Sequence, residues 1–148
     1  MIGIEEIARK LQMEPHPEGG FYKRTYCSDV KLEGGKRGTA SAIYFILPSG
    51  LQSRWHTTDG DELWFWHAGS PLDLLVANAE GKASKTIKLG NDFMGNEVLQ
   101  FTVPARHWQA ARCAGQNAND WTLVSCVVSP EFQFEGFVMA EEGWTPSL

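Results

Sequence analysis

Two periodicities divide the chain. Between residues 4 and 13, Ile4, Ile7, Ala8 and Leu11 recur at three- and four-residue spacing among Glu5, Glu6, Arg9 and Lys10, the pattern of an amphipathic helix with one apolar stripe. Pro15 is expected to end it. Beyond Gly19 and Gly20 the pattern changes to short runs rich in β-branched and aromatic residues, separated by Gly, Pro and Asp-Gly. These runs predict strands at 21–26, 40–47, 52–56, 62–67, 72–78, 83–89, 97–103, 107–112 and 122–128. No helical pattern lies between them, which excludes parallel crossover units and leaves an antiparallel sandwich or barrel. A double-sheet jelly roll fits best. The end of the chain, with Phe132, Phe134, Phe137 and Trp144 near Glu131, Glu135, Glu141 and Glu142, is expected to fold back as a flap or to serve a subunit contact.

Composition narrows the picture. The chain has 148 residues, 43% hydrophobic and 21% charged, which suits one domain over 1–148 with one core, the barrel occupying about 21–138. Its net charge of −5 is spread along the chain without a basic stripe, so nucleic acid is not an expected partner. Apolar stretches such as 42–47 fall far short of the ~20 residues that span a bilayer. The N-terminus also lacks a basic start and an apolar signal core, so the expected setting is cytoplasmic, with no membrane partner. Cys27, Cys113 and Cys126 form no CxxC pair and read as buried free thiols.

Chemistry concentrates between Gly50 and Gly69, where two strands flank the turn 57–61 and carry His56 and Glu62 at its edges. Alternation puts Glu62, Trp64 and Trp66 on one face and Leu63, Phe65 and His67 on the other. A buried carboxylate needs an ion-pair or hydrogen-bond partner, such as His56, Arg54 or a metal. Trp64 and Trp66 would then wall a ligand pocket, whereas Trp55 and Trp121 read as core and His67 as structural. Arg24, taken to share a face with Tyr22 and Tyr26, is either an anion clamp or a solvated side chain.

The spacing of Gly50, His56, Glu62 and Gly69 resembles the first motif of the cupin superfamily, with Thr58 where a metal-binding member has a second His. Pro104, Ala105, Arg106, His107, Trp108 and Gln109 resemble the second motif, with Gln109 in the third His position and Arg106 in place of Gly. The chain is most similar to a small cupin family with a His-Pro-Glu-Gly-Gly opening, here His16 to Gly20. Ser41 with Ile43 and Tyr44, Asp61 to Trp64, Ala68 to Leu72, Trp108 with Gln109, and Ser129 to Phe132 also match that family.

The resemblance implies a double-stranded β-helix (cupin jelly-roll barrel), all-β apart from the N-terminal helix, commonly homodimeric and holding a small-molecule ligand. Relatives include sugar-nucleotide epimerases, metal-dependent oxygenases and isomerases. On the epimerase model, His56 is the base, Glu62 its orienting partner and Tyr44 the acid, with Arg24, Ser41, Trp64, Trp66, Trp108, Gln109 and Phe132 around the ligand. No cofactor is then required. On the metal model, a weakly bound divalent cation sits on His56, Glu62 and Gln109. His107 reads as a turn or rim residue, and His16 as a brace of its turn or a cover for the pocket mouth. A third alternative is a binding module without chemistry.

Overall fold

A computed structural model describes residues 2–148. Helix α1 (Ile4–Lys10) has Glu5 and Glu6 in its first turn and Arg9 and Lys10 in its last, each sign opposing the helix dipole. It ends a turn earlier than the periodicity predicts. Gln12 adopts a positive φ of 56°, and Met13 N–H bonds back to Ala8 O (2.8 Å) while Gln12 N–H bonds to Arg9 O (3.2 Å). This is the paired closure of a Schellman turn, so the helix is finished before Pro15 is reached.

Eleven strands follow: β1 (Glu14–Pro15), β2 (Phe21–Cys27), β3 (Ser41–Pro48), β4 (His56–Thr57), β5 (Asp61–Gly69), β6 (Leu72–Ala77), β7 (Lys85–Leu89), β8 (Gln100–Val103), β9 (Trp108–Cys113), β10 (Trp121–Ser129) and β11 (Val138–Met139). They form a six-stranded sheet in the order β1-β2-β3-β10-β5-β8 and a five-stranded sheet in the order β11-β4-β9-β6-β7. Their pairings are antiparallel, and the two sheets make the expected jelly roll. Inner faces read directly from alternation. In β10, Thr122, Val124, Cys126 and Val128 are buried while their neighbours are not. Of these, Val124 and Cys126 meet Phe45 and Leu47 of β3, Trp64 of β5, Leu72, Leu74 and Val76 of β6, Leu89, Val103 and Ala111 in one core.

A second cluster lies outside the barrel, where Trp55, Ala110 and Ala140 pack with Leu75, Trp108 and Trp144. It holds the end of the chain, which folds back onto the five-stranded sheet. The strand expected at 52–56 is the main departure. Only Gln52 and His56 keep ladder positions, because Ser53 Oγ accepts Ala111 N–H (2.9 Å) and Arg54 N–H turns away to the Glu18 carboxylate (2.9 Å). Glycine is required at position 20, where φ is +73° and a Cβ would strike the carbonyl oxygen of Ile46. No helix among the described residues is long and apolar enough to cross a membrane.

Candidate functional site

Glu62 is the second residue of β5, between Val103 of β8 and Val128 of β10, and it points into the barrel at 8% exposure. From the opposite sheet comes Gln109, 1% exposed, whose Nε2 donates to Glu62 Oε2 at 2.6 Å. Trp64 Nε1 donates to Gln109 Oε1 at 2.8 Å. Since an indole N–H only donates and a carboxylate only accepts, these partners fix the orientation of the carboxamide. Burial pushes the Glu62 carboxyl above the usual range, while His56 and the donors on Gln109 and Cys126 pull it back. The same burial, with Glu62 alongside, keeps the Cys126 thiol protonated.

His56 opens β4, with Gln109 as its partner in β9 and Met139 as its partner in β11. Its Nδ1 lies 2.9 Å from Arg54 O. A carbonyl oxygen can only accept, so the neutral ring carries its hydrogen on Nδ1 and a lone pair on Nε2. No ion pair of 4.0 Å or less joins His56 to Glu62 among the described residues; Gln109 and the Cys126 thiol are the side chains that bond Glu62, and His56 interacts with it through charge. The direct bond to the His56 ring thus comes from the Arg54 carbonyl and not from Glu62.

His16 enters the same interior. Its ring packs on Tyr22 (5.3 Å between centroids) and Phe45 (5.0 Å), both inner-face residues. Burial lowers its pKa, Glu18 opposes that, and the nearby charge of His56 lowers it further. His16 was readable only as a brace or a cover, but it braces its turn and reaches inward at once. Phe137 was missed as a site residue, and its ring lies 5.2 Å from that of His56.

Several expected site residues lie elsewhere. Tyr44 is on the outer face of β3, opposite Ser125 and Lys23 and edge-on to His67 at 6.3 Å, so the structure does not bring its phenol into the interior with His56. His67 bonds Ser125 Oγ on that outer face (2.5 Å). Trp108 also points outward, because its neighbour Gln109 points in, and it stacks on Trp144 at 4.5 Å. Trp66 does face inward but packs on the main core, its Nε1 bonded to Ser70 O (3.1 Å), four residues along β5 and so ~13 Å from Glu62. It is a core side chain rather than a pocket wall.

Arg24 bonds Glu131 (3.0 Å) with half its side chain exposed, and a bulge at Thr25 turns Tyr26 away from the Tyr22 face. Glu131 also accepts Gly38 N–H (2.8 Å). With the Cys27 thiol and Arg24 following, that donor holds its pKa at about 2. Arg37 completes this rim brace through Glu131 O (2.7 Å) and both Asp59 oxygens (2.9 and 2.6 Å). Arg24 is thus committed to a structural pair. Ser41 and Phe132 do meet, Phe132 N–H donating to Ser41 Oγ (3.0 Å). The Phe132 ring continues to Phe137 (5.8 Å), so Ser41 anchors the aromatic segment beside His56.

The donor set does not fit a transition metal. Such ions take three or four N, O or S ligands. Among the described residues no three His, Cys, Asp or Glu side chains converge as a cation site. The Gln109 oxygen expected as a ligand is engaged by Trp64, and the His16 Nδ1 lone pair by Glu18 N–H (3.0 Å). Two cavities, of about 500 and 520 Å³, open between the C-terminal segment and the barrel wall, one beside Arg54 and Trp144 and the other beside Arg106 and Trp108. His56 and Glu62 line neither. Glu62 and Gln109 are enclosed, so a ligand would meet the partly exposed His16 and His56, with the carboxylate beneath them.

Residues 5–140 match the family model described as Cupin superfamily (DUF985). Protein SO0799 from Shewanella oneidensis superposes with a TM-score of 0.85 at 33% identity, covering 95% of this chain and 86% of its own. A hypothetical protein from Leishmania major does so with a TM-score of 0.85 at 31% identity, covering 94% and 88%. The uncharacterised protein YML079W of Saccharomyces cerevisiae is 26% identical over 147 residues, 89% of this chain and 72% of that protein.

Proposed function

This chain belongs to the DUF985 family of the cupin superfamily, and from that premise we propose that it binds a small carbohydrate-like molecule and moves a proton on it without a metal, as an epimerase or isomerase does. One observation carries the reading: the His56 hydrogen is committed on Nδ1 to Arg54 O, which leaves Nε2 as an uncommitted base. An imidazole held in one tautomer, with an unshared Nε2 lone pair, suits proton abstraction from a ligand carbon.

The test is solvent deuterium exchange, followed by NMR, over a panel of hydroxy aldehydes, hydroxy ketones and nucleotide sugars. Exchange at a carbon next to a carbonyl is expected, and His56→Ala should slow it about 100-fold or more, the usual worth of a positioned base. A His56→Ala protein that exchanges at the wild-type rate would refute the base. Near-stoichiometric metal in protein purified without an affinity tag would refute the metal-free chemistry. A panel member that binds tightly and leaves unchanged would support the binding-module alternative instead.

A further inference from the structure

We propose that His16 is the electrophilic partner of His56, and that Glu18 holds the two imidazoles in opposite tautomers, one offering an N–H and the other a lone pair to the same ligand. The inference rests on the reading of His56 as base. Three hydrogen bonds link the residues in series. Glu18 N–H donates to His16 Nδ1 (3.0 Å), which forces the His16 hydrogen onto Nε2. The Glu18 carboxylate accepts Arg54 N–H (2.9 Å). The carbonyl of that same Arg54 accepts from His56 Nδ1 (2.9 Å), which strips Nε2 of hydrogen. Neither Nε2 has a hydrogen-bond partner among the described residues. A single glutamate thus sets one ring through its main chain and the other through its side chain.

The sequence around it suits the task. Gly19 and Gly20 take positive φ values of 97° and 73°, and His16 N–H bonds Gly20 O (3.0 Å) while Gly19 N–H bonds His16 O (3.0 Å). This closes a tight turn that directs both Glu18 groups. Packing on Tyr22 and Phe45 immobilises the His16 ring, and burial lowers its pKa, so it stays neutral.

The role is donation of a hydrogen bond, not transfer of a proton, because a neutral imidazole that lost its Nε2 hydrogen would become an anion. In the step itself, the C–H bond next to a ligand carbonyl breaks and its electron pair moves onto the carbonyl oxygen. The proton goes to His56 Nε2, and the enolate oxygen is held by His16 Nε2–H. Return of a proton to that carbon, from His56 or from solvent exchanged onto it, restores the carbonyl. The ligand class that needs both groups is a small carbonyl compound with an acidic adjacent C–H, such as a hydroxy ketone or a keto sugar. A neutral imidazole as carbonyl electrophile is established chemistry, and removing one such donor costs about 100-fold in rate.

Long-range ¹H–¹⁵N correlation of the imidazoles in uniformly labelled protein tests the arrangement without any ligand. His16 is expected with hydrogen on Nε2 and His56 with hydrogen on Nδ1. Glu18→Ala, which frees Arg54 N–H, should shift His56 toward a tautomer mixture, and Glu18→Gln, which keeps an acceptor oxygen, should restore it. Identical tautomers on the two rings, or a His56 signal indifferent to Glu18→Ala, would overturn the inference. In the exchange panel, His16→Phe should slow turnover about 100-fold. Full exchange in that variant would overturn the role of His16 and leave His56 standing, whereas full exchange in His56→Ala would remove the base reading itself.

Discussion

Replacing Gln109 by Leu probes the polar centre of the barrel with little change of volume, so any cost is owed to hydrogen bonding rather than to a cavity. The side chain is 1% exposed and satisfies two buried groups, the Trp64 indole N–H at 2.8 Å and the Glu62 carboxylate at 2.6 Å. Leaving a buried neutral donor unpaired costs ~1–3 kcal/mol, and losing a bond to a charged acceptor costs ~1.5–3 kcal/mol. Glu62 recovers part of this by taking up a proton, so about 3 kcal/mol of net loss is expected at pH 8, a large share of the ~5–15 kcal/mol available to a domain. Urea denaturation followed by tryptophan fluorescence should show a midpoint lowered by roughly 1–2 M.

The penalty should also depend on pH. Burial already raises the Glu62 pKa in the folded protein, and removal of the Gln109 donor raises it more. A carboxyl whose folded pKa lies above its unfolded value loses stability as pH rises through the folded value. Gln109→Leu must therefore cost more at pH 8 than at pH 5, and adding Glu62→Gln should shrink the difference. A loss below about 1 kcal/mol at pH 8, or a penalty equal at both pH values, would refute the bonded triad of Trp64, Gln109 and Glu62.

Glu131, with its pKa lowered from 4.5 to about 2, contributes stability that is complete above pH 4.5 and lost as pH falls toward 2. Glu131→Gln should flatten acid unfolding followed by circular dichroism in that window, and an unchanged acid limb would contradict the rim brace. Tyr44→Phe should leave deuterium exchange at its wild-type rate and stability within ~0.5 kcal/mol; loss of exchange would mean that the phenol reaches the interior after all. Gly20→Ala should destabilise by ~2 kcal/mol or more, through its positive φ and the clash with Ile46 O, which thermal unfolding would register. A neutral substitution would place the turn differently.

Much of the barrel was legible because antiparallel strands with one buried face alternate cleanly. WTLVSCVVS in β10 and the inward Glu62 and Trp64 of β5 followed that rule. Tyr44 escaped it because SAIYFILP is nearly continuous in apolar residues, with Ile46 buried on its outer side as well, so polarity did not mark the two faces. Trp108 and Gln109 are consecutive in β9 and could never have shared a pocket, a conflict that alternation alone exposes. The Arg54 carbonyl was beyond reach of pattern reading. Its availability depends on Glu18, 36 residues earlier, drawing Arg54 out of a ladder that the local sequence predicts to be regular. Gln109 is legible as an inward polar side chain but its bonding is not, since a carboxamide that accepts from an indole and donates to a carboxylate has the same sequence signature as a neutral oxygen ligand.

Trp144 meets Trp108 at 4.5 Å and 42° and Trp55 at 6.3 Å and 88°, while Ser147 bonds Ser84 and Gly81 (3.2 and 3.0 Å). Indoles so close and so inclined share their electronic transitions, which gives the docked tail its own chiroptical signature. Detachment of the last few residues would erase that exciton couplet while the barrel stayed folded. The molecule thus carries a native optical gauge of tail attachment that needs no added dye.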